Sequence, residues 1–576
     1  MALFRRKGQI TIRGEVPQAP DTPPSDLEMA RIRLLIVAIF FLFVWCGIAV
    51  RLGMLTFMSV ESDPQPAPRT TSAPTTIALR SSIVDRNGEL LATSLSTASL
   101  FADPRKILDA TEAAEKLAAL FPDLDRDDIL EKLQGQKHFV WLKRNLTPRQ
   151  QADVLELGIP GIDFQKEKKR VYPAANLTAH IIGYTDIDGN GIAGVEKTFN
   201  QRLSTNTDPL KLSVDLRVQS ILHDEIRKAI VRFSAIGGTG LVMDARTGEI
   251  LALASLPDFD PHDPGKTDDD AHFNRATLGV YEMGSTFKMF TAASALESGR
   301  VLPSDYFDAR KPLHVGRFTI SDTHPENRWL SLPEVIMYSS NVGAAQIGLQ
   351  TGTRTFHSYL DALGLTRPSP LELPEVGAPL VPSNWRDINT MTIAFGHGLA
   401  VSSVQLASAF AAVIGDGALH PPTIVAGKTP ETPVSRIFSD RTVSIMRKIA
   451  RLVVEQGTGK QASVEGYVVG GKTGTAEKTL GRGYNTKANL SSFIAAFPMQ
   501  DPRYVIVVAI DEPKGIKETY GFTTGGWVAA TAVKQIIARM APLMGIRPFD
   551  ENDPAIQSAV HIDPVPQNGG RQLVVF

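Results

Sequence analysis

An unbroken apolar run from Leu34 to Val50, resuming from Leu52 to Met58 after Arg51, constrains this chain more than any other feature. As a helix rising ~1.5 Å per residue, its uninterrupted part covers ~26 Å, close to the ~30 Å of a bilayer core once flanks are counted. A helix buried in protein is rarely apolar on all faces. A secretory signal carries a shorter apolar region, roughly 7–15 residues, and then a small-residue cleavage site. The residues Arg51-Leu52-Gly53-Met54 form no such site. Arg5, Arg6, Lys7, Arg13, Arg31 and Arg33 precede the run, so residues 1–33 are expected in the cytoplasm and the bulk outside. The run is read as a single-pass transmembrane helix over 34–58.

At 576 residues the chain exceeds one core and implies several domains. Lys+Arg 60 against Asp+Glu 61 gives a formal net charge of -1, no footprint for a polyanion, so nucleic acid is excluded as a partner. The one cysteine, Cys46, lies inside the apolar run and builds neither a disulfide framework nor a metal site. The 11 histidines are scattered without zinc-like spacing. No metal or organic cofactor is expected.

Residues 59–76 are rich in Pro, Ser and Thr and read as an extended tether. A region from about 77 to 212 mixes short strands and helices. Within it, Thr147-Pro148-Arg149-Gln150 has the cap, first-turn proline and closing Gln of a helix start. Asp186 to Glu196, with Gly189, Gly191 and Gly194, predicts a turn or loop. From Asp215, the spacing of Leu222, Ile226 and Ile230 predicts an amphipathic connecting helix within 213–235. Leu241-Val242-Met243, a turn over 244–248 and Glu249 to Ser255 predict a strand pair. Phe493–Phe497 and Tyr504–Ile510 read as buried strands, and Trp527–Met544 as a helix. Strands at both ends with helices between predict an α+β domain over 236–545. Pro548, Pro554, Pro564 and Pro566 in the last stretch predict a loosely ordered tail over 546–576.

Three short motifs follow one another in that domain. In Ser285-Thr286-Phe287-Lys288, the first and last residues share one face if the segment opens a helix. A serine hydroxyl is a poor nucleophile until a base stands within hydrogen-bond reach. Lysine, with a pKa near ~10.4, is neutral in only about one molecule in 2,500 at pH 7. Bringing it near neutrality takes ~4 kcal/mol, which burial and a second cation would supply. In Ser339-Ser340-Asn341, Ser339 is suited to pass a proton and Asn341 to hold a substrate amide. In Lys472-Thr473-Gly474-Thr475, an edge strand would pair with a peptide substrate. There Gly474 would keep bulk away, and Lys472, Thr473 and Thr475 would offer donors to a carboxylate. Lys472 is also the natural second cation for Lys288. Each motif alone also suits an ordinary surface helix, polar turn or strand.

In this order, the motifs form the signature of penicillin-binding proteins and their β-lactamase relatives. Arg80, Asp85-Arg86-Asn87-Gly88, Arg170-x-Tyr172-Pro173, His180-x-x-Gly183 and Glu196 resemble the non-catalytic pedestal of class B penicillin-binding proteins. Asp244 to Ser255, Gly396-His397-Gly398 and Lys472 to Lys478 resemble that family's transpeptidase domain. The resemblance covers about 77–545, with no room before it for a glycosyltransferase domain. Tyr281-Glu282-Met283-Gly284-Ser285 and Ser339-Ser340-Asn341-Val342-Gly343 are similar to the division-specific FtsI type; elongation-type relatives tend to carry Asp at the place of Asn341. Met283 stands where many members have Pro, and Ser81 where many have Gly.

The resemblance implies a penicillin-binding, β-lactamase-like α+β domain on an elongated α+β pedestal (dimerisation-type) domain, behind one transmembrane helix of the inner membrane. It implies acyl transfer at Ser285, with Lys288, Ser339, Asn341 and Lys472 catalytic and Thr473, Gly474 and Thr475 binding substrate. The backbone N–H groups of Ser285 and Thr475 would form the oxyanion hole. Substrates would be peptidoglycan stem peptides in the periplasm, β-lactams would acylate the same serine, and a septal glycan polymerase and other division proteins would be partners. An elongation-type transpeptidase, a D,D-carboxypeptidase and a non-enzymatic β-lactam sensor or divisome scaffold are the alternatives. A hydrolytic β-lactamase is disfavoured because no Glu-x-x-Leu-Asn follows Ser285. Gly466 to Thr473 matches the P-loop pattern literally, yet Gly457–Glu465 is no apolar strand and the residues after Thr473 are poor helix formers.

Overall fold

The computed structural model describes residues 26–57, 80–316, 318–428, 434–480, 483–565 and 570–573; the expected tether over 59–76 lies outside them. The chain divides into two compact units, Met1–Ile77 and Ala78–Phe576. In the first, helix α1 (Asp26–Phe57) contains Leu34–Arg51, long and apolar enough to cross a membrane. The helix begins at Asp26, so residues 26–33, expected as tail, continue it.

In the second unit, after the short strand Ile83–Val84, β1 (Leu90–Ala102) pairs antiparallel with β2 (Val140–Leu146) and with β3 (Ile162–Val171). Leu100, Leu142 and Leu146 pack on Leu117, Ile129 and Val154. Helix α2 (Pro148–Glu156) starts with the expected box: Gln150 N–H donates to Thr147 Oγ1 at 3.2 Å, and Thr147 N–H donates to Gln150 Oε1 at 3.0 Å. The glycine-rich segment is a turn at Asp186–Asn190, but Gly194–Thr198 is a short helix and not loop. Gly194, at φ +58°, crosses the backbone of Gly183 so closely that a Cβ would lie 2.6 Å from Gly183 N. That crossing buries Glu196 completely, between Arg80 Nε and Arg170 Nε, both at 2.6 Å.

Helix α3 (Leu216–Arg232) is capped by Asp215 and buries Leu222 and Ile226. It leads into the sheet that organises the rest, made of β4 (Gly237–Asp244), β5 (Ile250–Leu256), β6 (Gly470–Leu480), β7 (Gly483–Phe497) and β8 (Tyr504–Asp511). The order is β6-β7-β8-β4-β5, antiparallel throughout, with β6 at an edge. Alternate residues of β8 serve two cores: Ile506 and Val508 meet α3 and the helix Ala529–Leu543, while Val505 and Val507 meet the helical lobe between β5 and β6. A strand covered on both faces reads as an uninterrupted apolar run, as Tyr504–Ile510 does.

Three helices of that lobe carry the site: α4 (Lys288–Glu297), α5 (Leu332–Met337) and α6 (Asn341–Thr351). Against α4 also packs α7 (Asp440–Glu455). The expectation of a loosely ordered tail is overturned for 546–565 and 570–573. Pro554 opens a helix over Pro554–Val560 behind the Asp553 cap, and Val560 is buried. Gln572–Leu573 pairs with Tyr306–Phe307, and Arg571 Nε reaches the fully buried Asp305 at 2.8 Å. An acid buried there needs a cation, and the tail supplies it.

Glu196 is held by two guanidiniums, so removing it strands two buried charges. Glu196→Ala is expected to lower unfolding free energy by ~3–5 kcal/mol, read by urea denaturation of the full chain.

Candidate active site

Ser285 lies in the 3₁₀ turn Gly284–Phe287, directly before α4. In a 3₁₀ turn residues i and i+3 eclipse, which stacks Ser285 under Lys288. Lys288 Nζ stands 2.9 Å from Ser285 Oγ. The turn is wedged tightly. A Cβ on Gly284 would lie 2.5 Å from the Thr475 carbonyl, and one on Gly396 (φ +97°) would lie 1.8 Å from the Gly284 carbonyl. Gly474 faces the same turn: its Cβ would meet Ser492 Oγ at 2.3 Å and the Met283 carbonyl at 2.6 Å. The missing side chain at Gly474 is what lets β6 meet the serine turn so closely.

The short connection from α5 to α6 places Ser339 at φ +63°, a left-handed conformation rare for a non-glycine residue. This turns the Ser339 carbonyl and hydroxyl back toward Lys288 Nζ, at 2.5 and 3.2 Å. Asn341, the first residue of α6, adds its Oδ1 at 2.7 Å. Lys472 Nζ, from edge strand β6, reaches Ser339 Oγ at 2.9 Å, Thr473 Oγ1 at 3.1 Å and Thr473 O at 3.2 Å. Both amines are fully buried, while Ser285, Ser339, Asn341 and Thr475 are half-buried and open to a ligand. The Thr475 hydroxyl accepts from Gly525 N–H at 3.1 Å, and the Thr473 hydroxyl contacts that of Thr458 at 2.9 Å. All eight residues singled out from sequence therefore converge on one place.

The partner chemistry orients Lys288. A neutral amine has two N–H donors and one lone pair. Ser339 O and Asn341 Oδ1 can only accept, so together they consume both donors. The lone pair is left facing the hydroxyls of Ser285 and Ser339. Electrostatics favour that neutral form: burial lowers the Lys288 pKa well below its usual value, the Lys472 charge lowers it further, and Asp322 opposes them. Burial also brings Lys472 down to about 7.

Sequence reasoning missed Ser321 and Asp322. Asn341 N–H and Val342 N–H donate to Asp322 Oδ1 at 2.5 and 2.9 Å, Ser340 Oγ donates to Asp322 Oδ2 at 2.7 Å, and Asn341 Nδ2 donates to Ser321 O at 3.0 Å. No local pattern marks them, because the contact spans a loop and two helices. The P-loop reading fails in structure as it does in sequence: Gly470–Leu480 is one strand, and no helix follows Thr473.

A half-buried serine beneath a buried lysine whose charged form is disfavoured, next to an open sheet edge, places the fold and site among the serine penicillin-recognising acyltransferases. Residues 238–538 match the Penicillin binding protein transpeptidase domain, and residues 75–225 the Penicillin-binding Protein dimerisation domain. The chain is 38% identical to the "Probable peptidoglycan D,D-transpeptidase FtsI" of Caulobacter vibrioides, over 92% of this chain and 91% of that protein. It is 34% identical to the "Probable peptidoglycan D,D-transpeptidase PenA" of Neisseria meningitidis serogroup A, over 92% and 96%. The solved structure of a peptidoglycan synthetase from Bifidobacterium adolescentis superposes with a TM-score of 0.66 at 22% identity, covering 84% of this chain and 98% of that one. The chain belongs to the penicillin-binding proteins, with the dimerisation and transpeptidase domains that characterise class B.

A neighbouring cation disfavours protonation, so removing the Lys472 charge should raise the Lys288 pKa. In Lys472→Met, the Lys288 deprotonation midpoint is expected to move upward, followed by NMR of lysine-labelled protein across pH.

Proposed function

We propose that this chain is a peptidoglycan D,D-transpeptidase that cross-links stem peptides through a Ser285 acyl-enzyme during cell division. One observation carries the nucleophile assignment: two acceptor-only partners leave the Lys288 lone pair facing Ser285 Oγ at 2.9 Å. Ser285 gives its proton to Lys288 as its oxygen attacks the penultimate D-Ala carbonyl. The backbone N–H groups of Ser285 and Thr475, brought together by the close approach at Gly284, hold the oxyanion; one such donor is commonly worth ~3–4 kcal/mol. Ser339, between the two amines, relays the proton to the departing D-Ala nitrogen. An amine of a second stem then attacks the ester and regenerates Ser285. Asn341 meets the substrate amide, and β6, with Lys472, Thr473 and Thr475, receives the terminal carboxylate and pairs with the peptide backbone.

The relatives' names and the penicillin-binding domain support this substrate class and acylation by β-lactams. The division role rests on the residues around Ser285 and Asn341 that resemble the FtsI type. α1 is the membrane anchor, with the cationic N-terminal residues cytoplasmic and the catalytic domain in the periplasm, beside a septal glycan polymerase. A carboxypeptidase would differ only in sending the acyl group to water.

Ser285→Ala should abolish covalent labelling of the full chain by a fluorescent penicillin, and undiminished labelling would remove the nucleophile. With a thioester donor and a D-amino acid acceptor, intact-mass analysis should find product with the acceptor attached; hydrolysis alone would mean a carboxypeptidase. Acylation requires Lys288 neutral and Lys472 charged. The rate should therefore fall as pH drops through the lowered Lys288 pKa, and fall again as pH rises through the Lys472 value of about 7. Stopped-flow acylation with a carboxylate-bearing β-lactam between pH 5 and pH 9 checks both limbs.

A further inference from the structure

We propose that Ser321 and Asp322 form a positioning segment that sets which way the Lys288 lone pair points and supplies a negative charge opposing the Lys472 ammonium. The inference rests on the acylation chemistry proposed above.

Nothing in a side-chain amide itself decides which end faces Lys288. The Ser321 carbonyl decides it: an acceptor 3.0 Å from the amide can take only Nδ2, which turns Oδ1 onto Lys288. Were the amide reversed, its N–H would face the amine, claim the lone pair and leave none for Ser285. Asp322 fixes the backbone beneath. Its Oδ1 accepts the first two N–H groups of α6, where a carboxylate also complements the helix dipole. Its Oδ2 accepts from Ser340 Oγ, which in turn accepts from Gly343 N–H at 2.9 Å. The Ser339 turn, strained at φ +63°, is thus gripped on its C-terminal side.

Two charges act on Lys288, the Lys472 ammonium from β6 and the Asp322 carboxylate from the loop before α5. α6 presents only neutral groups. Glu334 of α5 is turned to Arg328 Nη2 at 2.7 Å, and Arg451 of α7 to Glu455 at 2.7 Å. Among the remaining helices against α4, Arg354, Asp361 and Asp387 are exposed and His357 packs on Trp385. On α7, Asp440 pairs with Arg436, Arg441 is exposed and Arg447 donates to the Ile414 carbonyl. Among the described residues Asp322 is therefore the charge that counters burial and Lys472, and it does so while holding the turn that carries Ser339.

The test is the rate of acylation by a fluorescent penicillin across pH, on the full chain in detergent. Asp322→Asn keeps the shape and removes the charge. It should acylate about tenfold more slowly at neutral pH, with its acid limb moved to lower pH because Lys288 stays neutral further down. Ser340→Ala loses one Asp322 contact and keeps the charge; it should be a few-fold slower with the acid limb unmoved. Wild-type rate and limb in Asp322→Asn would overturn the proposal, as would a slower rate with the limb unmoved, which reduces Asp322 to a structural cap. Should Asp322→Asn not fold, an unchanged rate in Ser340→Ala overturns it. Labelling of wild type at Ser285 is scored first: its absence overturns the functional reading and this role with it, whereas labelled wild type beside an unchanged Asp322→Asn overturns only the latter.

Discussion

Two lysine amines buried against one serine hydroxyl are the constraint on which the rest of this structure depends. Desolvating two ammonium groups so close together is strongly unfavourable, and burial with the neighbouring Lys472 charge pushes Lys288 toward its neutral form. Lys288 and Lys472 reach Ser339 Oγ at 3.2 and 2.9 Å from opposite sides, one from a helix and one from an edge strand. Neither element would place its amine there alone. The sheet must therefore be held firmly: the three inner strands β7, β8 and β4 are paired on both sides, the edge strands β6 and β5 pack on α7 and α3, and Tyr504–Asp511 is buried throughout. The helical lobe must be fixed against it, and α4 does this by burying every residue from Lys288 to Ala295.

Rigidity of this kind is achieved by removing side chains as much as by adding them. Gly284, Gly396 and Gly474 let three backbone segments meet at distances no Cβ would allow. The serine turn cannot drift away from the edge strand, because it is clamped between Thr475 and Gly396. The positive φ at Ser339 belongs to the same design. A residue held in a sparsely populated conformation at the centre of a site needs surroundings that over-determine it. Here the carbonyl of that strained residue is itself a ligand of Lys288, so the strain is coupled to the chemistry.

Much of this was legible in the sequence. Strands with two buried faces announce themselves as continuous apolar runs, and Thr147-Pro148-Arg149-Gln150 carries its capping box in plain order. The eight site residues were found because they sit in short motifs. What escaped shares one cause, which is dependence on contacts distant in sequence. Asp322 looks like any loop aspartate until α6 is placed over it. Arg571 looks like part of a proline-rich tail until Asp305 is seen buried beneath it. The packing of Gly474 on the Met283 carbonyl is likewise invisible locally, because the two lie far apart in the chain.

The literal P-loop string at Gly466 to Thr473 shows how far local pattern can mislead and what resolves it. In a phosphate-binding loop, glycines let backbone N–H groups curl around an anion. The glycines of this string answer to packing instead. A Cβ on Gly470 would meet Met499 Sδ at 2.8 Å, and one on Gly471 would meet the Ile494 carbonyl at 2.3 Å. Both positions sit in register opposite Ala496 and Ala495, where β6 lies close on β7. Extended pairing of that kind aligns the following lysine across the edge of the sheet and into the helical lobe. The same eight residues curled into a loop would aim the lysine at their own backbone. It is the partner strand, not the glycine spacing, that delivers Lys472 to Ser339.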